Sequence, residues 1–82
     1  MNLQLINGSF SKQEALELIT QMVHVKIKFQ ENKIQHSSNE EDIKMRESKI
    51  KQLQKDLYEI KKEIDKEAEF IDIHSEIIIG KI

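Results

Sequence analysis

The sequence predicts a mainly α-helical chain. Its core is an antiparallel, coiled-coil-like hairpin of two helices, flanked by short N- and C-terminal β-strands (β-α-α-β) and paired with a second copy as a dimeric four-helix bundle. Three observations carry this. Two capping signals, SKQE at 11–14 and SNEE at 38–41, mark two helix starts in a chain with no proline and two glycines. Apolar residues recur every seven positions from Ile43 to Ile71, the narrow seam of a helix that packs on another. Both ends alternate apolar and polar residues with the period of a strand.

The first strand is placed at about residues 2–6, with Leu3 and Leu5 on one face, Gln4 on the other, and Asn7-Gly8 ending the run. A helix follows over about 12–35. Ser11 and Glu14 have capping-box spacing, and Phe10 and Ala15 stand where a hydrophobic staple would. The second helix, about 39–69, opens with Ser38 and Glu41 as a second capping box and with Glu40, Glu41 and Asp42 on the positive end of the helix dipole. Its seam is Ile43, Ile50, Leu57, Ile64 and Ile71, with Leu53 and Ile60 between them and Arg46 and Glu67 as polar interruptions. The final strand, about 70–79, follows from poor helix formers and alternating isoleucines, and it pairs antiparallel with the first.

VHVKIKF, at 23–29, alternates as a strand does but reads as helix. Projected at ~100° per residue, Gln13, Glu17, Thr20, Gln21, His24, Lys28, Glu31 and Gln35 form one polar stripe, with a broad apolar arc opposite. Folding the chain back at Ser37-Ser38 sets Ile34 against Ile43, Ile27 against Ile50, Val23 against Leu53, Ile19 against Leu57 and Leu16 against Ile60. The polar interruptions also meet, Gln30 against Arg46. This uses one seam of the first helix. Ala15, Leu18, Met22, Val25 and Phe29, spaced 3, 4, 3 and 4, form a second seam, assigned to an oligomer interface.

Formal charge −2 gives no global attraction to nucleic acid or anionic lipid. Without cysteine there is no disulfide, thiolate metal site or cysteine nucleophile. No apolar run spans a bilayer, and the N-terminus lacks the marks of a signal peptide, so a cytoplasmic protein with no membrane partner is expected. His24, His36 and His74 fall on different elements. His36 beside Glu40, Glu41 or Asp42 is the nearest approach to a metal site, and there the acids already serve the helix start. No phosphate loop or nucleophile motif occurs. The reading is therefore no enzyme, no cofactor and no metal. The chain is expected to be a small oligomeric assembly or protein-interaction module whose partner is itself or another protein. The alternative is nucleic-acid binding through Lys44, Lys49, Lys51 and Lys55, diluted by Glu40, Glu41, Asp42 and Glu47. Lys26, Gln30 and Lys33 interrupt the apolar arc: the favoured reading is lysine stems lying along packed helices, the second is polar elements that set the register of the dimer, and the third is a pocket for an anionic ligand.

Overall fold

The computed structural model describes residues 1–66 and 69–81. The order is β1 (Asn2–Ser11), α1 (Lys12–Gln35), α2 (Glu40–Lys66) and β2 (Phe70–Ile78), so β-α-α-β is the architecture. The end of the second helix expected to reach residue 69 falls partly on residues 67 and 68, outside the described ones.

Each helix start has a physical cause. Ser11, with extended backbone, accepts the Glu14 N–H at 3.2 Å on its Oγ, and its own N–H donates to Glu14 Oε1 at 3.1 Å, a complete capping box. The second start departs from the Ser38–Glu41 expectation. Asn39 is the cap: its Oδ1 accepts from the N–H groups of Glu41 at 2.9 Å and Asp42 at 3.2 Å. Its carbonyl takes the first helical bond, from Ile43 at 3.1 Å. Asparagine caps at least as well as serine, and here its own N–H is bound by Ser37 Oγ at 3.3 Å, which holds the turn. At the end of α1, the N–H of His36 returns to the Lys33 carbonyl and its ring Nδ1 lies 2.8 Å from the Asn32 carbonyl.

The helices pack antiparallel in the register set by facing residues. Arg46 Nη1 donates to Gln30 Oε1 at 2.8 Å near the turn, and Lys12 Nζ donates to the Asp65 carbonyl at 3.1 Å at the open end. Between these points Leu57 and Ile64 are buried, while Leu16, Ile19, Val23, Ile27, Ile43, Ile50 and Leu53 are half-buried. Residues 23–29 are helical throughout.

The strands pair antiparallel, Leu3 with Ile77 and Phe10 with Ile71. β1 runs on to Ser11, through the Asn7-Gly8 expected to end it, because Gly8 pairs with Ile73 and has no positive φ. An irregularity between Gln4 and Ile6 leaves Leu5 as an extra residue. Ile6, Gly8 and Phe10 therefore take the half-buried face with Ile71, Ile73 and Ser75. The bulge returns Leu3 to that side, and both Leu3 and the extra residue Leu5 are exposed.

The whole molecule measures 46 × 32 × 14 Å. Helices of 24 and 27 residues are about 36 and 40 Å long and the ribbon is about 33 Å. The 46 Å length shows that the ribbon turns across the helices rather than continuing them. A thickness of 14 Å is little more than one helix.

Candidate functional site

The α1 seam is divided by the fold. Ala15 is fully buried inside the chain, so it offers a partner nothing. Leu18 is half-buried and lines a shallow groove with Phe10, Glu14, Glu17 and Gln21. The strand end thus comes down over the N-terminal half of the seam. Beyond it Met22, Val25 and Phe29 are 36%, 70% and 55% exposed. Lys33 Nζ lies 5.6 Å from the centre of the Phe29 ring, a cation–π contact that leaves most of the ring open.

The same face continues onto α2. Lys26 and Gln30 share a groove with Lys49, Gln52, Leu53 and Asp56. Met45, one turn before Lys49, is 48% exposed. Sequence reasoning missed Met45, which is off the heptad seam and shows only as one member of the row Met45, Lys49, Gln52 and Asp56 at spacings 4, 3 and 4. The polar stripe of α1 faces the other way, where His24, Lys28 and Glu31 border a second open groove with Ile27, Gln54 and Leu57.

Gln30 is the one buried polar residue among the described ones. Its oxygen is satisfied by Arg46, whose Nε also bonds Asp42 Oδ2 at 3.1 Å, the one ion pair among the described residues. The Arg46 bond, then the Ser37 hydroxyl, hold the Asp42 carboxyl below its ordinary range. Glu14 is likewise lowered, first by the Ser11 backbone N–H and then by its hydroxyl. This network ties the turn end of the hairpin together, so Gln30 is a register element of the hairpin itself.

Three of the four lysines at 44–55 share one edge of α2 and the fourth does not. Lys44, Lys51 and Lys55 lie along the outward edge of α2, with Lys62 further on over the Tyr58 ring at 4.6 Å. Lys49 turns into the groove beside Lys26. Among the described residues no group of three His, Asp or Glu could hold a metal ion, and no helix is long and apolar enough to cross a membrane. Comparison with protein-family models, curated proteins and solved structures returns no match.

Proposed function

We propose that the chain is a non-catalytic self-association module in which Met22, Val25 and Phe29 of α1 pack on the same residues of a second copy. The pair forms a coiled-coil-like four-helix bundle with the α1 helices inside. The observation that carries this reading is the open apolar row of Met22, Val25 and Phe29, which the strand ribbon does not cover. Domains bury apolar faces between packed layers, and this plate is 14 Å thick. Its surface of 6854 Å² compares with about 5,100 Å² for a compact monomer of its mass. The excess, about 1,700 Å², is twice the roughly 800 Å² that each partner buries in a standard interface. The radius of gyration, 15.4 Å, likewise exceeds the roughly 12 Å of a compact domain of this length. A cytoplasmic setting without cofactor or metal fits the open grooves and scattered histidines. Nucleic-acid binding has less support, because Lys49 turns away from the other three lysines and the chain carries a net charge of −2.

Sedimentation equilibrium at micromolar concentration tests the proposal. The expected species is a dimer whose melting temperature rises with concentration. Val25→Glu removes about 1.5 kcal/mol of apolar burial per copy, so about 3 kcal/mol per symmetric dimer, or roughly 100-fold in Kd before carboxylate desolvation is added. Lys28→Glu, on the polar stripe, leaves association unchanged. Val23→Glu attacks the hairpin and unfolds the protein at any concentration. A monomeric wild type, or Val25→Glu no worse than Lys28→Glu, would overturn the reading.

A further inference from the structure

We infer that the free edge of β1 pairs antiparallel with the β1 edge of a second copy, completing a four-stranded sheet in the order β2-β1-β1-β2. This deepens the self-association reading by naming a second contact.

The hydrogen bonds show which backbone groups of β1 face outward. Met1 and Ile79 exchange both bonds, at 3.0 and 2.8 Å, and the Lys12 N–H donates to Glu69 at 3.2 Å. Bonded pairs alternate in an antiparallel ladder, so Ile6, Gly8 and Phe10 turn their backbone groups toward β2. Asn7, Ser9 and Ser11 turn theirs away. Ser11 confirms the phase, since its N–H goes to Glu14 rather than to β2. Among the described residues no third strand satisfies Asn7 and Ser9.

Edge strands are normally guarded by charge, proline or shortness. β1 has 10 residues, no charge and no proline. Its one guard, the bulge at Leu5, leaves residues 6–11 regular. The outward residues of β2 include Asp72, His74 and Glu76, and two β2 edges paired around His74 would set Asp72 against Glu76, like charges directly opposed. The two edges differ, and the uncharged one is built to pair. A second copy fits it: with the two-fold at Gly8, Asn7 bonds Ser9 of the partner subunit, and Ile6 opposes Phe10 of the partner subunit on the half-buried face, a favourable aliphatic–aromatic cross-strand pair. Two strands alone are marginal, whereas four with an apolar face are not.

Residue-resolved amide exchange, run beside sedimentation, tests this. At concentrations where the protein is associated, the Asn7 and Ser9 amides should exchange at least about tenfold more slowly than in dilute solution, as amides bonded in a ladder do. The double variant Asn7→Lys with Ser9→Lys should lose that protection and shift to a smaller species while keeping its helical circular dichroism. Unprotected Asn7 and Ser9 amides in a dimeric protein would overturn the strand pairing and leave the α1 reading standing. Protected amides with Val25→Glu still dimeric would support the strand pairing and overturn the α1 reading. Ever-larger species with Asp72, His74 and Glu76 also protected would overturn the two-fold pairing in favour of open-ended stacking of β1 on β2. A monomer at all concentrations would remove both.

Discussion

Replacing Arg46 should expose how much the hairpin depends on one buried amide. Gln30 is 7% exposed and its oxygen is held by Arg46 at 2.8 Å. Arg46→Met keeps the apolar stem of the side chain but leaves that oxygen buried without a donor, a cost of about 1–3 kcal/mol. In a chain of this size each kcal/mol moves the melting temperature by about 4–8 °C. Gln30→Met is milder, roughly 1 kcal/mol, because the Arg46 side chain is 20% exposed and retains Asp42. The double variant removes both polar groups, so it should recover most of what Arg46→Met loses, with a coupling energy of about 1–2 kcal/mol. Urea and thermal denaturation followed by circular dichroism, at one fixed protein concentration, measure all four corners of the cycle. An Arg46→Met cost below about 0.5 kcal/mol, the range of a surface substitution, would refute the argument. So would a double variant that loses the sum of the two single costs.

Asn39→Ala should cost about 1 kcal/mol, while Ser38→Ala should stay within about 0.5 kcal/mol, because the capping bonds come from Asn39; equal costs in denaturant melts would return the cap to Ser38. Glu14 and Asp42 both titrate below their ordinary range, so the stability they contribute is complete above about pH 5 and is lost as pH falls through their lowered values. Melting temperature should therefore fall more gently on acidification in Glu14→Gln with Asp42→Asn than in wild type, and a wild-type-like acid slope in that double variant would sink the assignment.

The hairpin register was legible because it rests on pairs of residues. Five apolar matches and the Gln30–Arg46 match all agree with one fold-back point, and a strand at 23–29 would have wasted them. The Ser11–Glu14 box was legible because it is local. What stayed hidden was non-local. Asn7-Gly8 has the chemistry of a turn, yet Gly8 is extended because its ladder partner is Ile73, far along the chain. The bulge at Leu5 changes which residues of β1 face the helices, and no local pattern announces it. The burial of Ala15 depends on where the ribbon crosses, so five evenly spaced residues that look alike in sequence become one covered residue, one half-covered residue and three open ones.

The two proposed contacts are linked by how charge is distributed along the chain. Of 28 charged residues, four lysines and three glutamates fall in β1 and α1 together, and none of them is in β1. The other 21 lie in α2, β2 and the segments around them. Within the hairpin this asymmetry has no use, since both helices bury only one seam there and each could carry a charged outer face. It has a use if the N-terminal half is inside an assembly and the C-terminal half outside. Interface cores are depleted of charge while rims and solvent faces are not. In the sheet proposed for the ribbon the β1 strands are the inner pair, and in the bundle proposed for the helices the α1 helices are the inner pair. Both arrangements place the same half of the chain at the centre, although one is argued from backbone hydrogen bonds and the other from exposed side chains. The four lysines of α1 fit that placement. Lys28 lies on the polar stripe, Lys12 is tied to the Asp65 carbonyl, Lys33 lies over the Phe29 ring, and Lys26 turns into the groove beside Asp56. The middle of the seam, from Met22 to Val25, is left to apolar contact.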